Sequence, residues 1–472
     1  MISKRILNLS ILLAFLIFLA STTGCSIFSN KFVVYSQPIP QPKAYNALDD
    51  GDYFLAVTVS GGGSRSAVWS AAVFRELFRQ AKLPDGRSIL DEIDYISSVS
   101  GGSVSSAYYC LNKPESDTTN IEEHAAFFDK FVKEMRRNIE RDILFKPWLW
   151  HRIFLQSVER AYFLKWDFDK YYFHNATFND LYKRQIEGIC PTLIVNGTVM
   201  DTGSKFLFTT VRRDVFSSHA EEELGSKLID TGMGKSNVPL EEGLLNIKLC
   251  EDIGISVGDM EVSRAVVASA AVPLIFGPII FKDEITSTPE NPKYVHVVDG
   301  GVGDTLGLES IMELVFDRYN SPGKKYRGGM VIIIDANQRI DPTASENLIR
   351  GLKAGATIER TRVIYAYRGK TLAYITIMFI QDNSRYKDID FVYISPYLVK
   401  DPAILESLRD EQGFERYTPS ELDVIVERFQ KTPTRFQIKP ELADNLECAA
   451  RLVVGTVKDR ILENYLRCNG VE

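Results

Sequence analysis

Residues 93–103 read Ile-Asp-Tyr-Ile-Ser-Ser-Val-Ser-Gly-Gly-Ser, and this stretch decides the fold. An apolar, β-type run stops at Ser-x-Ser-x-Gly, and a small-residue helical pattern from Val104 to Leu111 follows. Small neighbours let the backbone bend sharply and push the Ser100 hydroxyl into view, the layout of a nucleophile elbow. A second glycine-rich turn lies upstream at Ser60-Gly61-Gly62-Gly63-Ser64-Arg65, again with a strand before and a helix after. A third element, Val297-Val298-Asp299-Gly300-Gly301, sets a carboxylate at a strand end far downstream. A nucleophile, oxyanion donors and a base are thus all represented.

Working outward, the alternation continues. Tyr53 to Val59 is an apolar strand, and Ser64 to Ala81 carries Val68, Ala71, Val73 and Leu77 at helical spacing. Thr192 to Thr198, Val295 to Val298 and Met330 to Asp335 are further strands, each ending near Gly, Asp or Asn. Strands alternating with helices predict an α/β fold, a mainly parallel sheet covered on both faces. Sites in such sheets collect at the strand ends. Between the second and third strands, residues 114–189 form an aromatic-dense helical insertion. Its rings include Phe145, Trp148, Trp150, Phe163, Trp166, Phe168, Tyr171, Tyr172 and Phe173. Most are expected to form the insertion's own core, and a few to form a surface that meets lipid. The end of the chain mixes strand-like runs (Ala373 to Ile380, Phe391 to Ile394) with helices (Ser420 to Phe429, Pro440 to Val454).

The chain has 472 residues, enough for a large core, and a net charge of −7. That balance excludes a basic nucleic-acid footprint. Lys4 and Arg5 precede an apolar run from Ile6 to Ala20 and then Ser21-Thr22-Thr23-Gly24-Cys25. The run is shorter than the roughly 20 residues that span a bilayer. Basic, apolar and small-residue regions in that order are a secretory signal. The approach to Cys25 resembles a bacterial lipoprotein signal, although Thr22 replaces the usual leucine. Residues 1–24 are therefore expected to be a signal peptide, Cys25 the lipidated residue, and 25–48, with Pro38, Pro40 and Pro42, a tether. Ser26 after the cysteine favours the periplasmic side of the outer membrane of a bacterial envelope. Five cysteines then remain, scattered and odd in number; only Cys448 and Cys468 offer a pairing, and no spacing suggests a metal site.

A serine hydroxyl needs a base to take its proton, and its tetrahedral intermediate needs donors in place. Consecutive glycines before a helix supply such donors, so Gly62 and Gly63 are the expected oxyanion hole, with Gly61 and Gly101 beside them. Neither a P-loop lysine nor a dinucleotide glycine pattern is present. Arg65 either braces this loop, adds positive potential, or is an exposed charge at the helix start. In an ordinary α/β-hydrolase a histidine follows the acid. Here none of His124, His151, His174, His219 and His296 follows Asp299. A Ser100–Asp299 dyad is simpler than a triad that drafts His296.

SGGGSRSA (60–67), SVSGGS (98–103), ASAAVP (268–273) and VDGG (298–301), in this order, resemble the patatin-like phospholipases, and the glycine loop is similar to that of the cytosolic phospholipases. The resemblance implies a three-layer α/β/α sandwich, a Ser–Asp dyad at Ser100 and Asp299, and an oxyanion loop at Gly61, Gly62 and Gly63 with its arginine at Arg65. It implies a phospholipase A or lysophospholipase without metal or organic cofactor, with phospholipid or lysophospholipid as substrate. Ser98 stands for the elbow glycine and Ser66 for a glycine after the arginine, departures that leave room for an inactive lipoprotein serving as a lipid- or protein-binding module. The division expected is a catalytic domain over 49–340 and a C-terminal extension over 341–472 packing on it.

Overall fold

A computed structural model describes residues 34–35, 53–115, 121–139, 157–216, 247–272, 276–320, 327–339, 354–382, 386–400, 418–432 and 434–470. The signal, Cys25, Phe145, Trp148, Trp150, His151 and His219 lie outside the described residues.

Ten described strands form one sheet. They are β1 (Val34–Tyr35), β2 (Tyr53–Val59), β3 (Tyr95–Val99), β4 (Thr192–Val199), β5 (Lys205–Thr209), β6 (Ile247–Leu249), β7 (Ile279–Lys282), β8 (Tyr294–Asp299), β9 (Gly328–Ile334) and β10 (Ile389–Ile394). Their order is β1-β7-β8-β4-β3-β2-β9-β10, with β5 on β4 and β6 on β5. The central run β4-β3-β2-β9-β10 is parallel throughout, whereas β8 joins β4 and β7 in antiparallel register. Strands β2, β4 and β9 are buried along their whole length, as parallel strands sandwiched between helices must be.

The helices are α1 (Ser64–Gln80), α2 (Gly101–Asn112), α3 (Ile121–Met135), α4 (Ser157–Phe168), α5 (Phe178–Ile186), α6 (Val262–Ser269), α7 (Leu308–Asn320), α8 (Ala354–Asp382), α9 (Pro419–Lys431) and α10 (Pro440–Asn469). Two apolar clusters lie on the two faces of the sheet, one under α1, α2, α3, α6 and α10, the other under α7 and α8. The expected three-layer α/β/α sandwich is the architecture observed.

The segment after residue 340 contributes to that sandwich directly. β10 extends the parallel sheet beyond β9, and α10 lies along α1. The run Ala373 to Ile380, read from its apolar density as a strand, is the C-terminal part of α8. A short continuous apolar run does not distinguish strand from buried helix; here Val363, Ala366, Ile377 and Ile380 fall on one buried helical face. Cys448 and Cys468 both lie on α10, twenty residues or about 30 Å of helix apart, so the pairing considered for them does not form within the chain.

In the insertion, Phe127, Phe128 and Phe131 of α3 pack against Phe74, Phe78 and Tyr109, while Phe168, Tyr172 and Phe173 are buried beside them. Tyr162 and Trp166 point to solvent, 45% and 51% exposed. The described rings thus divide into a buried majority and an exposed minority, and the buried ones join the core of the sandwich instead of forming a separate core of the insertion.

Candidate active site

The register of β4 explains why residues far apart in sequence meet. β5 pairs with Ile194 to Thr198 of β4 and so occupies one edge. The other edge is shared: β3 pairs with Thr192 to Asn196, ending with Val99 opposite Asn196, and β8 pairs with Gly197 to Val199, ending with Asp299 opposite Gly197. β3 and β8 thus run toward each other along one edge and stop end to end. The residue after Val99 is Ser100, so the Ser100 hydroxyl and the Asp299 carboxylate are delivered to one point.

Ser100 caps α2 with φ 54° and ψ −123°, a backbone region that costs a non-glycine residue about 1–3 kcal/mol. Its Oγ donates to Asp299 Oδ2 at 2.9 Å. The Asp299 carboxylate is held in turn by the Gly301 N–H, 2.7 Å from Oδ1. The Asp299 backbone N–H donates to the Ala271 carbonyl at 3.0 Å, and its carbonyl accepts from the Thr198 hydroxyl at 3.1 Å. Both side chains are buried, Ser100 5% and Asp299 7% exposed.

One contributor was not singled out from the sequence. The Ser100 N–H donates to Ser269 Oγ at 2.8 Å, and Ser269 Oγ also lies 3.2 Å from the Ser103 hydroxyl. Ser269 ends α6 inside the ASAAVP motif, so the signal was present but without a role. Asn196 adds a second brace: its amide donates to the Ser97 hydroxyl and the Ser98 carbonyl, and its oxygen accepts from Ser310.

The glycine loop lies against the elbow. A Cβ on Gly101 would stand 2.0 Å from the Gly63 carbonyl oxygen, so the close approach of the two loops requires glycine there. The Gly61 N–H is engaged, donating to the Thr305 carbonyl at 3.0 Å. The Gly62, Gly63 and Gly101 N–H groups meet no protein acceptor among the described residues, and Gly101, next to Ser100, lies against Gly63. Arg65 is not an exposed charge. It is 1% exposed, with Nε donating to the Ala336 carbonyl at 2.8 Å and a guanidinium nitrogen to the Thr432 carbonyl at 2.7 Å. It braces the loop against the end of β9 and the C-terminal segment.

The two departures that the sequence shows, Ser98 and Ser66, are held by local hydrogen bonds beside the Ser100–Asp299 contact. The Ser98 hydroxyl donates to the Ile194 carbonyl at 3.2 Å, and the Ser66 hydroxyl donates to the Ser60 carbonyl. No described histidine reaches Ser100. His296 pairs with Asp201 at 3.3 Å on the exposed side of β8, and His124 bonds the Glu115 carbonyl and stacks on Phe78.

With this geometry in place, the patatin-like phospholipase family model matches residues 57–312, more than half of the chain. The chain belongs to the patatin-like phospholipase family. The matched span contains the glycine loop, the elbow, Ser269 and Asp299, and the family is one of lipid acyl hydrolases. The β9 and β10 strands and helices α8 to α10 lie beyond it.

Solved structures similar to this patatin-like chain include the human GIVD cytosolic phospholipase A2, at 11% identity and a TM-score of 0.46, covering 90% of this chain and 61% of that one. The same human enzyme with a methyl γ-linolenyl fluorophosphonate inhibitor gives 10% identity and a TM-score of 0.46. VipD from Legionella pneumophila gives 9% identity and a TM-score of 0.31, covering 87% of this chain and 67% of that one. The chain thus spans about three fifths of the length of the human enzyme. No curated protein matches it.

Proposed function

We propose that the protein is a serine acyl-ester hydrolase of the phospholipase A or lysophospholipase type, with Ser100 as nucleophile and Asp299 as base. The observation that carries this reading is the 2.9 Å hydrogen bond from Ser100 Oγ to Asp299 Oδ2 at a strained elbow. A scaffold kept only for binding gains nothing from a strained serine aimed at a carboxylate. That argument favours the enzyme over an inactive binding module.

In the proposed reaction Ser100 Oγ attacks the ester carbonyl carbon while its proton passes to Asp299. The carbonyl oxygen becomes an oxyanion and accepts hydrogen bonds from the N–H groups of Gly62 and Gly63, with Gly101 adjacent. Collapse breaks the C–O bond to the alcohol, which leaves with the proton held by Asp299. A water then attacks the acyl-serine, Asp299 takes its proton, and the fatty acid is released as Ser100 regains a hydrogen. Arg65 positions the loop and does not touch the reacting atoms.

The proposed organisation is a signal over 1–24, a lipidated Cys25 with a tether after it, and one catalytic unit that takes in β1 and the segment after residue 340, because β1 and β10 are strands of its sheet. A lipid anchor on the periplasmic face of the outer membrane would bring the site to its phospholipid substrate. The deciding experiment is turnover of a short-chain ester and of phospholipid by the wild type beside Ser100→Ala, with fluorophosphonate labelling. Activity and labelling that depend on Ser100 support the reading; labelling that persists in Ser100→Ala at Ser103 or Ser106 refutes the assignment.

A further inference from the structure

Two cysteines bracket the insertion. Cys110 lies on the last turn of α2, the helix that begins at the elbow, and Cys190 lies just before β4. Standing on either side of residues 114–189, they mark the neck of that segment. Packing brings the two sides together. Cys110 Sγ lies 3.9 Å from the Pro191 carbonyl oxygen, and Cys190 Sγ 4.0 Å from that of Leu181. Arg184 of α5 is bonded to both sides. Its Nε donates to the Cys110 carbonyl at 2.9 Å, and its own carbonyl accepts from the Cys190 N–H at 3.4 Å. The two thiols lie within hydrogen-bonding reach of each other.

The two sulfurs differ in their surroundings. Cys110 is fully buried, and burial pushes its thiol up. Cys190 is 7% exposed and follows the exposed turn Ile186 to Gly188. The hydrogen bond with Cys110 holds the Cys190 thiol below its ordinary value, and the Arg184 and Lys113 cations act in the same direction. A sulfur inclined to ionise, close to the surface and backed by a buried thiol, is the arrangement of an attacking and a resolving cysteine.

We propose that Cys110 and Cys190 are a redox-active pair whose disulfide clasps the neck of the insertion. The Cys190 thiolate attacks one sulfur of a disulfide donor, either a small-molecule disulfide or that of an oxidoreductase, and one donor thiolate leaves. Cys110 then gives up its proton and attacks Cys190 Sγ, breaking the mixed disulfide and releasing the second donor thiolate. Two protein thiols are oxidised, the donor is reduced to two thiols, and the two protons end on those thiols. The envelope location proposed above supplies such oxidising conditions. The bond closes a long loop, the case in which a cross-link restricts the unfolded chain most. It also joins the elbow helix to β4, the strand along which Ser100 and Asp299 are aligned.

The test is peptide mass spectrometry of the full chain after incubation with glutathione disulfide, alkylation with iodoacetamide and digestion without reductant. The expected product is a pair of peptides joined through Cys110 and Cys190, absent after dithiothreitol. The oxidised protein should melt several degrees above the reduced one. Cys190→Ser should remove both the cross-link and the reductant-sensitive part of the melting temperature, whereas Cys448→Ser should keep both. Oxidised against reduced wild type carries the test if Cys190→Ser does not fold. The clasp is overturned if both cysteines are alkylated, if glutathione stays on Cys190 without a bridge, or if either cysteine bridges elsewhere. A Cys110–Cys190 bridge with no rise in melting temperature overturns it too. None of these readouts requires turnover, so the clasp and the hydrolase reading stand or fall separately.

Discussion

Ser100 Oγ donates to Asp299 Oδ2 across 199 positions of sequence, and the contact exists because β3 and β8 end against each other on one edge of β4. Asp299→Asn keeps the shape but lacks the proton affinity of a carboxylate, so turnover should fall by about 10²–10⁴-fold. Ser100→Ala combined with Asp299→Asn should be little worse than Ser100→Ala alone, because the two act as a unit. His296→Ala should leave turnover unchanged. Ester kinetics on the four proteins check this, and a severe His296→Ala beside a mild Asp299→Asn would give the base to the histidine.

Ser269 is expected to be a positioning residue. Ser269→Ala leaves the buried Ser100 N–H without its acceptor, at a cost of about 1–3 kcal/mol in stability. A purely structural role would lower the melting temperature and spare the active fraction. Loss of elbow geometry lowers kcat with KM little changed, and Ser269→Thr, which keeps the hydroxyl, should recover part of it.

Gly101→Ala forces a methyl into the Gly63 carbonyl and should cost about 1–3 kcal/mol or more, with activity lost. Gly86→Ala is the comparison: unlike Gly101, Gly86 has a positive φ, 86°, and a Cβ there meets nothing within 4 Å. Its cost is confined to backbone strain, roughly 1–2 kcal/mol, and activity should survive. Chemical denaturation of both variants separates close approach from strain.

Asp335, at the end of β9, accepts from Lys370, Tyr393 and the Asn337 N–H. Burial pushes its carboxyl upward, but Lys370 and these hydrogen bonds prevail and hold it below the ordinary carboxylate range. A depressed folded pKa adds stability above the unfolded value of about 3.9, and that stability is lost as pH falls through the folded value. Removing the charge in Asp335→Asn also leaves Lys370 without its buried partner, at a cost of about 3–5 kcal/mol. The melting-temperature gap between wild type and Asp335→Asn should hold from neutral pH down to about pH 5 and narrow below about pH 4. A gap that instead grows on acidification contradicts the ion pair.

Trp166 and Phe168 sit on one helix with opposite surroundings, 51% and 0% exposed. Phe168→Ala should cost about 3–5 kcal/mol and depress every activity through stability. Trp166→Ser should leave stability and short-ester turnover intact. If the outward rings engage lipid, only action on vesicles should fall, since an interfacial ring gains from being half in hydrocarbon and half in water. Equal loss on vesicles and soluble ester would count Trp166 as core.

Local patterns carried much of this protein in its sequence. Periodicity marked β2, α1, β3 and α2, and glycine beside serine marked both loops, because a tight turn and a close backbone approach restrict residue type wherever they occur. Ser100, Asp299 and the glycine loop were legible for that reason, and the absence of a histidine after Asp299 pointed to the dyad. Tertiary structure decided the rest. Ser269 carried no role until α6 was packed against the elbow, and whether Arg65 braced the loop or stood exposed was open until β9 and the C-terminal segment supplied its carbonyl acceptors. The run Ala373 to Ile380 became helix because α8 laid one face on the sheet, a choice that its apolar composition leaves open. Phe436 acquired a place beside Gly63 and Gly101 only through packing across more than 330 positions. Contacts of that kind depend on strand order and register, which arise from how separate elements share one core and leave no periodic trace in any one of them.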